Sequence, residues 1–129
     1  EVGMKIPRIF ETKGEIYFRE LEEQITLKML KKNTSVVSLG GGTFLNQNVK
    51  KEVLKNHISF WLSWDPKTLV DRIKNSTKRP VAFKSSKKEL NELINNRSNF
   101  YSKALYKINC ENLTKNEIVN KILDICENN

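Results

Sequence analysis

Segments of helical period alternate with short β-branched runs along this chain, and that alternation limits the fold more than any other feature. Phe18, Leu21, Ile25 and Met29 recur at helical spacing, so residues 15–31 are expected to form an amphipathic helix. A short strand is expected at 35–39. Val49, Val53 and Leu54 mark a second helix, and aromatic and β-branched residues make 58–63 a strand. Asp65-Pro66 supplies an N-cap and a first-turn proline for a helix that turns Leu69, Val70 and Ile73 inward. Ser86-x-x-Glu89 and Thr114-x-x-Glu117 are capping boxes. The first opens a helix with Leu90, Leu93 and Ile94 inward, the second a helix with Ile118, Ile122 and Ile125 on one face. Residues 106–110 between them read as another strand. Upstream, residues 6–10 form one or two apolar helical turns, and Gly14 breaks the chain after them. Strands separated by helices are joined by crossovers, so the expected fold is α/β, a parallel sheet with helices on both faces.

The chain of 129 residues is long enough for one domain and one core, and neither an internal repeat nor a linker divides it. No apolar stretch approaches the roughly 20 residues that span a bilayer. The opening Glu1-Val2-Gly3-Met4 is not a secretory leader and lacks an initiator methionine at its first position. Cys110 and Cys126 do not make a disulfide framework; both read as small buried residues in a reducing compartment, so the expected location is the cytoplasm. His57 lacks partners for a metal site and reads as a surface loop residue. The net charge of +8 favours anionic partners, although lysine-rich background composition would give the same balance.

Three of the five glycines, Gly40, Gly41 and Gly42, directly follow the apolar run Val36-Val37-Ser38-Leu39. A buried strand that ends in consecutive glycines suits either a flexible turn or a backbone that approaches a ligand closely. In open α/β sheets, ligands bind beyond the carboxyl ends of strands, where this loop would lie. The stretch from 72 to 88 has seven basic residues and no acid. It reads as an exposed basic segment, either a solvated loop or a lid, at about 76–88, that closes over an anion.

Four elements then form one pattern: Gly14-Glu15-x-x-Phe18-Arg19-x-x-Glu22, the run into Gly40-Gly41-Gly42, Lys78-Arg79-Pro80, and Arg97-Ser98-Asn99-Phe100-Tyr101. In order and spacing this resembles shikimate kinase, a small P-loop kinase family, over nearly the whole chain. The resemblance implies a three-layer P-loop kinase-like fold and transfer of the γ-phosphoryl of ATP to the 3-hydroxyl of shikimate, with Mg2+ as cofactor. It implies that Arg19 and Arg97 hold the shikimate carboxylate, for which a guanidinium fork is suited. Glu22, on the same helix face as Arg19, would fix that fork and accept from a substrate hydroxyl. Gly41 and Gly42 would bring backbone amides to the substrate. Arg79 would stabilise charge on the moving phosphoryl group, Arg72 would lie near the adenine, and Pro80 would shape the lid. Without the resemblance, Arg19 also suits an ion pair with Glu22 or Glu23, and Arg97 suits helix capping.

The chain departs from the family pattern in two ways. Val81-Ala82 follow the lid Arg-Pro where two leucines are usual, and Asn99-Phe100-Tyr101 stand where Pro-Leu-Tyr is usual. The sequence also holds no Gly-x-x-x-x-Gly-Lys-Ser/Thr loop and no Asp-x-Asp. In the family both precede the segment matched here, so the expectation is a single partial domain over 1–129. It would lack the first strand, the phosphate loop and the metal ligands, be inactive alone, and be monomeric when complete. The partners expected are shikimate and ATP, with neither nucleic acid nor membrane. Two alternatives stand beside this one. The first is another small P-loop kinase of gluconate kinase type. The second is a basic nucleic-acid-binding module, for which recognition motifs and interleaved aromatics are lacking.

Overall fold

A computed structural model describes residues 6–32, 36–75 and 86–128. The chain forms two compact units, 1–57 and 58–129.

In the first unit, α1 (Ile6–Leu30) is broken at Gly14, whose φ of 86° and ψ of 170° are not helical. That backbone region is essentially closed to residues with a Cβ, which is why the break falls on glycine. Ile9 and Leu30 are buried while Met29 is 39% exposed, so the inward stripe ends one position later than the Phe18-to-Met29 spacing suggests. Residues 36–40 carry no strand, and Val36 is fully exposed at 101%. The strand expected at 35–39 is therefore corrected, with Ser35 itself outside the described residues. β-branched side chains favour an extended backbone, but a strand exists only where a second strand completes the ladder, and no described residue pairs with this segment. The glycines lead into a single 3-10 turn (Thr43–Leu45) and then α2 (Gln47–Asn56). Asn46 caps α2 by accepting from the Asn48 and Val49 amides at 2.9 and 3.0 Å. α2 packs on α1 and on the 3-10 turn. Its Val49 and Val53 are buried, and Leu54 faces solvent. His57 ends α2, with Nε2 3.0 Å from Glu52 Oε2.

The second unit holds the described sheet, in which β1 (Phe60–Ser63) pairs in parallel with β2 (Tyr106–Asn109). Phe60 lies opposite Tyr106 and Leu62 opposite Ile108, so these four share one face. The Phe60 and Tyr106 rings stack at 5.6 Å. On the other face the Lys107 ammonium lies 4.8 Å from the centre of the Trp61 ring. Parallel strands need a crossover, and α3 (Pro66–Lys74) and α4 (Lys87–Tyr101) occupy the stretch between them, packed against each other. Val70 and Leu90 are buried. The Ser86 capping box that opens α4 is present, so Lys87 and Lys88 lie in a helical first turn, and 76–85 of the expected lid lie outside the described residues. The Thr114 capping box opens α5 (Lys115–Glu127). None of the α5 residues is fully buried, which leaves Cys126 exposed and corrects the expectation that both cysteines are interior. Cys110 is completely buried, and desolvation raises its thiol pKa above the ordinary value.

Asp65 occupies the N-cap position of α3, but its side chain makes no capping bond. Glu111, just beyond β2, instead binds the cap residue itself, its carboxylate accepting from the Asp65 amide at 3.0 Å and from the Thr68 hydroxyl at 2.7 Å. These two hydrogen bonds hold its pKa below the ordinary glutamate value, Thr68 contributing most and Arg72 adding a favourable charge.

Candidate functional site

In the first unit α1 brings Arg19 and Glu22 onto one helical face, three residues apart. The Arg19 Nη1 donates to Glu22 Oε1 at 3.0 Å, and its Nε lies 3.9 Å from Glu15 Oε1. The guanidinium carbon stands 5.3 Å from the centre of the Phe18 ring. Glu22 is the more enclosed partner, its side chain 19% exposed against 40% for Arg19. The arginine is thus steered by a sheltered carboxylate while part of its fork still faces solvent.

The glycine loop folds back beside this pair. The Thr43 amide donates to the Gly40 carbonyl at 3.0 Å, and the Leu45 amide to the Gly42 carbonyl at 3.2 Å. A Cβ at position 42 would lie 3.0 Å from Arg19 Nη1 and 3.3 Å from its Cζ. A Cβ at position 40 would meet the buried Thr43 hydroxyl at 3.1 Å and Glu22 Oε2 at 3.7 Å. Gly41 is exposed between them. Arg19, Glu22, Gly40 and Gly42 therefore form one local group.

In the second unit Arg97 lies on α4, half-buried, and its Nε is buried without a hydrogen-bond partner among the described residues. Buried donors are nearly always satisfied, so this nitrogen is an exception among the described residues. Arg72, on α3, is stacked on Trp64 with its guanidinium carbon 4.8 Å from the ring centre. Trp64 and Glu111 both follow the carboxyl ends of β1 and β2, the end at which α/β sheets bind ligands. Arg79 and Pro80 lie outside the described residues. Among the described residues, no group of three or more His, Cys, Asp or Glu is placed to hold a metal ion.

Sequence reasoning gave no role to Glu15, Trp64 or Glu111. The i,i+4 spacing from Glu15 to Arg19 was a legible signal. The Trp64–Arg72 stack spans the turn into α3, and the Glu111 bonds join positions more than forty apart in sequence, which no local pattern encodes.

The family model for shikimate kinase matches residues 1–127. The chain is 40% identical over 121 residues to the shikimate kinase of Sulfurihydrogenibium sp. (strain YO3AOP1), covering 94% of this chain and 72% of that protein. It is 36% identical to the shikimate kinase of Persephonella marina, covering 95% of this chain and 74% of the relative. It is 33% identical to that of Bartonella henselae, covering 93% of this chain and 58% of the relative. Its fold is similar to the crystal structure of shikimate kinase from Bacteroides thetaiotaomicron, with a TM-score of 0.75 and 24% identity over 95% of this chain and 73% of that one. The crossover helices, the parallel strand pair and the family match along almost the whole sequence agree: this chain belongs to the shikimate kinase family.

Proposed function

We propose that this chain provides the acceptor side of a reaction that moves the γ-phosphoryl group of ATP to the 3-hydroxyl of shikimate. The observation that carries the reading is the Arg19 guanidinium, held by Glu22 at 3.0 Å beside Gly42, in a chain matched to the family over residues 1–127. Arg19 presents a fork of donors to the shikimate carboxylate, and Glu22 fixes the fork's direction. Arg97, whose Nε has no hydrogen-bond partner among the described residues, is the second carboxylate ligand. Gly41 and Gly42 lie on the substrate side of the loop.

Arg72 serves the nucleotide, its guanidinium held flat by Trp64, and Pro80 shapes the backbone next to Arg79. Arg79 stabilises charge on the transferring phosphoryl group. In the transfer, the 3-hydroxyl oxygen forms a bond to the γ-phosphorus, the bond from that phosphorus to the bridging oxygen breaks, and ADP leaves with release of the hydroxyl proton. The 129 residues hold no Gly-x-x-x-x-Gly-Lys-Ser/Thr loop and no Asp-x-Asp, so no residue here is assigned to cradle the β- and γ-phosphates or to take that proton. Mg2+ is the expected cofactor of the reaction, but the described residues do not fit it and no step is assigned to it. We further propose a single partial domain over 1–129, cytoplasmic and monomeric when complete, with shikimate and ATP rather than nucleic acid as partners. No helix among the described residues is long and apolar enough to cross a membrane.

Calorimetric titration of the protein with shikimate and, separately, gluconate tests the acceptor assignment. Saturable binding of shikimate with none of gluconate is the expected result. Preference for gluconate would replace the reading with that of a related sugar-acid kinase.

A further inference from the structure

We propose that Gly42 is a positioning residue for Arg19: the side chain it lacks leaves the space in which the guanidinium lies. The inference rests on the reading that Arg19 takes the substrate carboxylate. It assigns the third glycine a different task from offering its backbone to a ligand.

Backbone conformation does not require glycine here. Gly42 has φ −97° and ψ −8°, a region open to any L-residue. Among the described glycines only Gly14 has positive φ. What a side chain would disturb is Arg19. A Cβ at 42 would come within 3.0 Å of Nη1, 3.2 Å of Nη2 and 3.3 Å of Cζ. Ordinary contacts of this kind lie at about 3.5–4.0 Å. These atoms belong to one rigid plane, so none of them gives way alone and the whole group must move.

Its freedom to move is limited by the Glu22 hydrogen bond at 3.0 Å, by Glu15 at 3.9 Å and by the adjacent Phe18 ring. Position 40 borders the other half of the same ion pair, because a Cβ there would lie 3.7 Å from Glu22 Oε2. The loop therefore lies along the Glu22–Arg19 pair, with Gly40 toward the carboxylate and Gly42 toward the guanidinium. A methyl group at 42 would leave the loop's dihedral angles in place and displace the fork.

The test is a double-mutant cycle with two readouts. In 15N-edited spectra of the full chain, the Arg19 Nε–H resonance is identified by its loss in Arg19→Lys. Gly42→Ala is expected to shift that resonance and to weaken shikimate binding about tenfold. In the Arg19→Lys background, whose slimmer tip vacates the space, the same substitution is expected to change binding less than about twofold. An unmoved Arg19 resonance, or an equal loss of binding in both backgrounds, overturns the proposal. Should the parent chain not bind shikimate, the acceptor reading fails, while the Arg19 resonance still decides the role of Gly42. Should Gly42→Ala not fold, a folded Arg19→Lys/Gly42→Ala chain supports the proposal and an unfolded one overturns it.

Discussion

The Thr68 hydroxyl donates a 2.7 Å hydrogen bond to the Glu111 carboxylate, joining the first turn of α3 to the segment that follows β2. With the Asp65 amide on its other oxygen, Glu111 acts as the reciprocal half of a capping box supplied from a distant part of the chain. Its pKa lies below the ordinary value of 4.5, through Thr68 first, then the Asp65 amide and Arg72. A depressed carboxylate pKa means stabilisation that is complete above the unfolded value and is lost as pH falls through the folded one. Glu111→Gln should therefore lower the melting temperature at neutral pH, and the gap to the parent should close below pH 4.5. Melting curves followed by circular dichroism down to about pH 3 test this. A gap that stays constant across that range would mean that the charge on Glu111 contributes nothing.

Leu90 is fully buried on α4, whereas Leu54 on α2 is 43% exposed. Leu90→Ala should cost about 2–5 kcal/mol of stability, the transfer and cavity terms together. Leu54→Ala should stay within about 0.5 kcal/mol, as surface substitutions do. Urea denaturation compares the two directly, and similar midpoints would contradict this account of the core.

Gly14→Ala introduces no clash, because nothing lies within 4 Å of a Cβ at that position. Its cost is conformational alone, about 1–3 kcal/mol for a side chain held at φ 86°. Denaturation of Gly14→Ala beside a helix-interior control such as Thr26→Ala checks this. An unchanged or raised stability would show that the break in α1 does not depend on glycine.

The cysteines should separate by reactivity. Cys126 is exposed, and Cys110 is buried with its thiol pKa raised by desolvation. A thiol reagent should modify Cys126 in the folded protein and Cys110 only after unfolding. Mass spectrometry of the labelled peptides identifies the sites, and fast native labelling of Cys110 would contradict the packing around β2.

What the sequence revealed was what neighbouring residues decide. The two capping boxes, Pro66 at the start of α3 and the break at Gly14 follow from local side-chain chemistry and backbone preference, and each stands where it was expected. The alternation of helix and strand likewise gave the parallel crossover between β1 and β2. Val36 and Val37 show where local information ends, since β-branching favours extension but cannot supply a neighbouring strand. The hold of Glu111 on the start of α3 and the seating of Arg72 on Trp64 depend on tertiary placement. At the candidate site, the Arg19–Glu22 pair was legible because three residues is a helical interval. The crowding of Arg19 against Gly42 was not, because the loop's return to α1 leaves no mark in either segment.

The central claim is that Arg19, fixed by Glu22, takes the carboxylate of shikimate. Calorimetric titration of shikimate into the parent protein and into Arg19→Ala measures it most directly. Loss of one charge-assisted pair of hydrogen bonds should weaken binding by about 1.5–3 kcal/mol, or roughly ten- to a hundredfold, with the fold unchanged by circular dichroism. Equal affinity of the two proteins for shikimate would contradict the claim.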